Sequence, residues 1–218
     1  MAVRKLNLPK QDEQGVGMYS YSQHAKWFDN RKEYIKQYFF KDTFEGNAYT
    51  EFGTKVGEAL ENNDFSMFSK KEGDTLSSVT RLDEFERPIK LSFPELNFYI
   101  RGYIDTNDKA LTTLIDYKTG DVSKISKYED EEYDQLAIYA AAIEQEMGVL
   151  PNKAYVQLIE REGNPWKAEV LSVGGKVHNI PQDITSKNIK SVKAKIVKGA
   201  REVSSFYKVF TKLNSVFV

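Results

Sequence analysis

The segment Leu114-Ile115-Asp116-Tyr117-Lys118 constrains this chain more than any other. Successive side chains of an extended strand point to opposite faces, so Asp116 and Lys118 share one face and Ile115 and Tyr117 the other. An earlier strand, Phe98 to Asp105, leads into the turn-forming run Thr106-Asn107-Asp108-Lys109, so the pair reads as a β-hairpin with Asp105 on the strand beside Asp116. The two acids face each other directly only if the hairpin centres near Ala110 and Leu111. Because the turn-forming residues lie slightly earlier, a bulge or a strong twist is expected.

Two carboxylates on adjacent strands make an all-oxygen site for a hard cation such as Mg²⁺, which keeps its remaining positions for water and phosphate oxygens. Such an ion lowers the pKa of water and neutralises charge on a phosphodiester, and an ammonium at Lys118 would orient that water or stabilise the transition state. The competing reading is a solvated Asp116–Lys118 pair on an amphipathic strand.

The run Gly102-Tyr103-Ile104-Asp105, then Ile115-Asp116-Tyr117-Lys118-Thr119-Gly120, then Gln135-Leu136-Ala137-Ile138-Tyr139-Ala140 closely resembles the RecB-like branch of the PD-(D/E)XK nuclease superfamily, including phage-exonuclease-like members. The resemblance implies an α/β fold with a restriction-endonuclease-like core, a mixed central β-sheet flanked by helices in the order αβββαβ. It implies that Asp105, Asp116 and the Tyr117 carbonyl ligate Mg²⁺ or Mn²⁺, that Lys118 assists the attack of water, and that Gln135 and Tyr139 lie beside the site. Read from the residues themselves, Gln135 and Tyr139 are four apart on a helix expected over Tyr128 to Met147, so they share a face, with Leu136, Ala140, Ile143 and Met147 as its buried stripe and Gly148 as its stop.

The N-terminal third also resembles RecB-like and CRISPR-associated adaptation nucleases, in Tyr19-Ser20-Tyr21-Ser22-Gln23, Phe28 and Asn30-Arg31-Lys32-Glu33-Tyr34-Ile35. Ser22 is expected as the helix N-cap. Relatives that hold an iron–sulfur cluster use cysteine near the position of Asn30; this chain has no cysteine, which excludes the cluster. A family motif Gly-x-x-x-His reads Gly53-Thr54-Lys55-Val56-Gly57 here, with glycine in place of histidine. The two glycines leave a bare stripe for close packing of a helix or approach of a nucleic-acid backbone. Glu58, or else Glu61, is the candidate additional metal ligand from that helix.

A formal net charge of −1 conceals a local imbalance. From Lys187 to Lys212 the bases Lys187, Lys190, Lys193, Lys195, Lys198, Arg201, Lys208 and Lys212 meet one acid, Glu202. Such a segment can track a phosphate backbone, while Ile189, Val192, Ile196, Ala200 and Val203 recur at helical spacing and read as a buried face. Residues 31–41 form a second basic and aromatic cluster, whose aromatics read as core. The acidic run Glu129-Asp130-Glu131-Glu132 favours the N-terminus of the motif helix through its dipole.

At 218 residues, with 40% hydrophobic and 13% aromatic content, the chain is long and apolar enough for one domain over 1–218. Residues 1–17 are expected to be ragged and 181–218 to form a basic helical extension. Helices are expected near 21–40 and 46–62, strands near 88–93, 97–105, 111–118, 153–160 and 166–172, and a mobile loop from Lys70 to Glu86, with Gly174-Gly175 closing the last strand pair. His24 reads as a helix-surface residue and His178 as a loop residue. No segment is long and apolar enough to cross a membrane, and no signal-peptide region begins the chain, so a cytoplasmic location is expected. The expected activity is a Mg²⁺- or Mn²⁺-dependent deoxyribonuclease, an exonuclease of recombination, repair or phage DNA metabolism, with DNA and a homo-oligomer or recombination protein as partners. The alternative is a catalytically silent nucleic-acid-binding or assembly module of the same fold.

Overall fold

The computed structural model describes residues 5–42, 46–129 and 133–215. Their elements run β1 (Gly17–Tyr19), α1 (Tyr21–Asp29), α2 (Arg31–Tyr38), α3 (Ala48–Asn62), α4 (Lys70–Ser77), β2 (Glu84–Phe93), β3 (Phe98–Asn107), β4 (Thr113–Gly120), α5 (Ile125–Glu129), α6 (Gln135–Met147), β5 (Lys153–Glu162), β6 (Ser172–Pro181) and α7 (Ser186–Asn214). The expected αβββαβ core is α3, β2, β3, β4, α6 and β5, and the sheet is mixed. β2–β3, β3–β4 and β5–β6 pair antiparallel, while β1–β3 and β4–β5 pair parallel.

The sheet buries both faces. On one side Leu136, Ala140 and Ile143 of α6 and Ile189, Val192, Ile196, Ala200 and Val203 of α7 pack with Leu91, Ile100, Ile104, Leu114, Val156 and Leu158. On the other, Phe52, Val56 and Leu60 of α3 and Leu76 of α4 pack with Ile159 and Val173. Ahead of β1, where the sequence suggested a ragged start, Leu8 is buried and Leu6 N–H donates to the Leu96 carbonyl at 2.9 Å.

One arrangement in the sheet positions the site. β2 pairs with β3 from end to end, so β1 and β4 must share the other edge of β3, β1 at Phe98–Ile100 and β4 at Thr106–Asn107. Among the described residues, the edge of residues 101–105 between them carries no strand.

Several boundaries differ from the sequence reading. The helix expected over 21–40 is two helices broken at Asn30, whose side chain accepts from Glu33 N–H to start α2. The N-cap of α1 is Ser20, not Ser22, since Ser20 Oγ accepts from Gln23 N–H. Lys70 to Glu86 is not a loop: Ser69 and Glu72 form a capping box that starts α4, and β2 begins at Glu84. The motif helix begins at Gln135, after the separate α5; residues 130–132 of the acidic run lie outside the described residues. Its Met147 is exposed rather than buried. The last strand runs 172–181 instead of 166–172, and Gly174 lies inside it. A Cβ there would stand 2.7 Å from Glu160 Cβ, at an irregularity between Ile159 and Arg161 that only glycine fits. His24 is buried, and His178 sits on β6 with Nε2 at 2.7 Å from Glu160 Oε1.

Candidate active site

The hairpin does centre on Ala110 and Leu111. Thr106 pairs with Ile115 and Asn107 with Leu114, a register that sets Asp105 opposite Asp116 without a bulge in this pair. The turn reaches that far because Asp108 holds it from within: its side chain accepts from Thr113 N–H at 2.8 Å and its carbonyl from Leu111 N–H at 2.9 Å, with Leu111 at φ 56°. Beyond Thr106 the strands part, and the Asp105 carboxylate takes the place of a ladder partner, accepting from Tyr117 N–H at 2.6 Å. A strand residue directs its N–H and C=O to the same edge, so the Tyr117 carbonyl also faces Asp105.

Asp116 is fully buried. Lys118 Nζ lies 2.6 Å from its Oδ2, Gln135 Nε2 donates to its Oδ1 at 2.8 Å, and the Tyr133 hydroxyl stands 2.9 Å from Oδ2 and 2.8 Å from Gln135 Oε1, donating to one of them at a time. Gln135 gives its second N–H to the Tyr139 hydroxyl at 2.8 Å, which leaves the Tyr139 proton free to donate into the cleft. The Tyr139 ring lies so close over β3 that a Cβ on Gly102 would stand 2.8 Å from its Cε1.

The electrostatics are those of crowded anions. Burial and the adjacent Asp116 charge hold the Asp105 carboxyl well above the usual carboxylate range, against the pull of Lys118 and of the Tyr117 N–H. Burial depresses the Lys118 ammonium, but the charges of Asp116 and Asp105 outweigh it and leave the group above the ordinary lysine value. Burial and Asp116 push the Tyr133 phenol up.

Sequence reasoning thus placed Asp105, Asp116, Tyr117, Lys118, Gln135 and Tyr139 in one locus, and the structure brings all six together. It does not bring Glu58, which is exposed on the side of α3 away from Phe52, Val56 and Leu60. Nor do Gly53 and Gly57 serve helix packing: a Cβ on Gly57 would meet nothing within 4 Å, and one on Gly53 would make ordinary contact with Thr119 Oγ1. The same stripe of α3 ends one turn later at Glu61.

Two residues were missed. Tyr133 had no motif to mark it. Glu86 fell in the supposed loop, yet it stands opposite Asp105 in the β2–β3 register at a left-handed kink, φ 49°. Its charge raises Asp105, and its own carboxyl is raised by burial and then by Glu61.

Among the described residues no three His, Cys, Asp or Glu side chains gather as a ligand set. The donors that fit a hard cation are the Asp105 and Asp116 carboxylates and the Tyr117 carbonyl, an oxygen-only set whose anions are partly compensated by Lys118. A cleft of about 400 Å³ opens beside them, lined by Lys10, Ser20, Arg101, Tyr103, Asp105 and Gln135 among others.

Comparisons with known proteins bear on this geometry. No curated protein sequence matches the chain. Among solved structures, the alkaline exonuclease LHK-Exo from Laribacter hongkongensis is 12% identical with a TM-score of 0.48, covering 93% of this chain and 96% of that one. The same enzyme in complex with dAMP gives a TM-score of 0.46 at 12% identity and the same coverage. A protein from Eubacterium rectale gives 0.46 at 8% identity, covering 84% of this chain and 81% of that one. A family model matches residues 20–210, nearly the whole chain, and by that match the chain belongs to the PD-(D/E)XK nuclease superfamily.

Proposed function

We propose that this protein is a Mg²⁺- or Mn²⁺-dependent deoxyribonuclease that hydrolyses phosphodiester bonds from DNA ends. The observation that carries the reading is the convergence on buried Asp116 of Lys118, Gln135 and Tyr133, with Asp105 opposite. A buried acid so held has a fixed orientation, and fixed charge in a water-poor site is what phosphoryl transfer needs.

A divalent cation held by Asp105, Asp116 and the Tyr117 carbonyl would neutralise phosphodiester charge and acidify water. Gln135 fixes the plane of the Asp116 carboxylate. Lys118, whose ammonium stands beside Asp116, would offset the negative charge that develops on the reacting phosphate. The Tyr139 hydroxyl, accepting from Gln135, donates its proton to a phosphate oxygen.

The test uses end-labelled linear and covalently closed circular DNA with Mg²⁺, with Mn²⁺ and with chelator. Linear DNA is expected to be degraded with either ion and circular DNA spared. Asp116→Asn and Lys118→Ala are each expected to lower the rate roughly 10²- to 10³-fold, the cost of removing one positioned electrostatic group. Binding without cleavage by the wild-type chain under every condition would defeat the proposal, and cleavage of circular DNA would replace the exonucleolytic mode by an endonucleolytic one.

A further inference from the structure

The strandless edge of β3 has a composition of its own. Arg101 and Tyr103 alternate onto one face of the strand, both are exposed, and Tyr103 leaves 54% of its surface open. Beyond the β2–β3 ladder, neither side chain makes a hydrogen bond, ion pair or ring contact among the described residues that would give it a structural task. The same cleft is lined by Lys10, whose Nζ lies 5.1 Å over the Tyr38 ring, and by Ser20 and Ser22, whose hydroxyls are 3.0 Å apart. Asp105 is the sole acid lining the cleft among the described residues. Passing along the edge from Asp105, the substrate would meet the position of Tyr103 about 7 Å along the strand and that of Arg101 about as far again, from the rise of two residues per step.

We propose that this edge is a single-strand subsite, in which Tyr103 stacks on an unpaired base while Arg101 and Lys10 hold the phosphate beside it. The proposal rests on the nuclease reading above and adds its substrate class: a strand whose end is already unpaired, or is frayed on entry. A void of about 400 Å³ accepts one or two nucleotide units and no duplex. A π-face with flanking cations is the chemistry by which proteins hold unpaired nucleic acid without reading its sequence, because every base has a face to stack. Two cations, Arg101 and Lys10, with a pair of serine hydroxyls likewise suit a polyanion.

The experiment is binding of a single-stranded oligonucleotide carrying 2-aminopurine near its end, in chelator, so that no turnover is needed. Wild-type protein is expected to change the probe's fluorescence by stacking. Tyr103→Ala is expected to abolish that change and weaken binding about tenfold, as for loss of one stacked base, with Tyr103→Phe restoring both. An abasic residue at the probe position should remove the difference between wild type and Tyr103→Ala. Arg101→Ala should leave the fluorescence change and lower the salt slope by about 0.7, the value of one single-strand phosphate. Wild-type binding and fluorescence in Tyr103→Ala would overturn the subsite, as would failure of Tyr103→Phe to restore them. Stacking by a wild-type chain that hydrolyses no DNA with any ion would leave the subsite standing and sink the nuclease reading. Hydrolysis of single strands by Tyr103→Ala at the wild-type kcat/KM would do the reverse.

Discussion

At the scale of single residues, the site depends on close approaches that leave little latitude. The Tyr139 ring occupies the space where Gly102 would carry a Cβ, so Gly102→Ala must push the ring off β3 and lengthen its bond to Gln135. Displacement of that kind is expected to cost up to about 10²-fold in kcat with little change in melting temperature, and a variant as active as wild type would show that Tyr139 has no role in turnover. His24 offers a separate check on the packing around α1. Its ring stands where a Cβ of Gly199 would come within 2.7 Å, and burial, helped by the Lys195 charge, lowers its pKa to about 4, against the weaker pull of Asp29 and Glu202. An unfolded histidine titrates near about 6.5, so the folded chain binds this proton less readily: the stability is complete above that pH and is lost as pH falls toward 4, by up to about 3 kcal/mol. Proton NMR should find the His24 imidazole still neutral at pH 5.5, and His24→Leu should flatten the acid limb of the melting curve; an imidazole titrating at the unfolded value would contradict the burial. Asp105, Asp116 and Lys118 were legible from alternation, whereas His24 was not. A lone histidine on a nine-residue helix carries no periodic signal for which face it takes.

At the scale of elements, the sequence was most legible where local chemistry and tertiary pairing agree. The β3–β4 hairpin shows this, and so does its one misreading. Thr106 and Asn107 look like turn residues, but Thr106 Oγ1 donates to the Glu84 carbonyl and Asn107 Nδ2 lies 3.0 Å from Glu84 Oε2, so pairing with β2 keeps both in the strand. No single-sequence pattern announces a partner that far away. The start of α4 was legible and overlooked, since Ser69-x-x-Glu72 is a capping box written in sequence. Glu86 was illegible because its importance comes from the β2 register and from a left-handed kink no residue type foretells. α3 carries the clearest prediction at this scale. Gly57 lies inside a 15-residue helix with open space where its Cβ would be. Gly57→Ala should therefore stabilise the protein by about 0.5–1 kcal/mol, roughly 1–4 °C in melting temperature, by removing the entropic cost of helical glycine. A lower melting temperature would mean that this stripe of α3 is closely packed after all.

At the scale of the whole molecule, a net charge of −1 has to be reconciled with the polyanionic substrate proposed for it, and α7 offers a way by sorting its charges. Ile189, Val192, Ile196, Ala200 and Val203 turn inward, and at 100° per residue Lys187, Lys190, Lys198, Arg201, Lys208 and Lys212 fall on the opposite side of the helix. Lys193 and Lys195, on the flanks, are tied to Glu144 and Asp134 of the α6 layer at 3.4 and 3.1 Å, and they anchor the helix. The basic segment therefore divides into a structural pair and an outward stripe, a division the sequence count of eight could not make. If the stripe meets phosphates, its contribution is counterion release, which appears in the salt dependence of binding and not in the fold. Lys187→Gln, Lys190→Gln and Lys198→Gln together should lower the slope of log K against log salt by about 2 for single-stranded DNA, at unchanged melting temperature. Lys193→Gln and Lys195→Gln should do the opposite, lowering the melting temperature modestly, since half-exposed ion pairs contribute about 0–1 kcal/mol each, and leaving the slope nearly intact. Anisotropy titrations at four salt concentrations with calorimetric melts of the same five substitutions separate the two groups; an unchanged slope in the triple variant would assign the stripe to solvent and leave phosphate binding to the cations of the cleft.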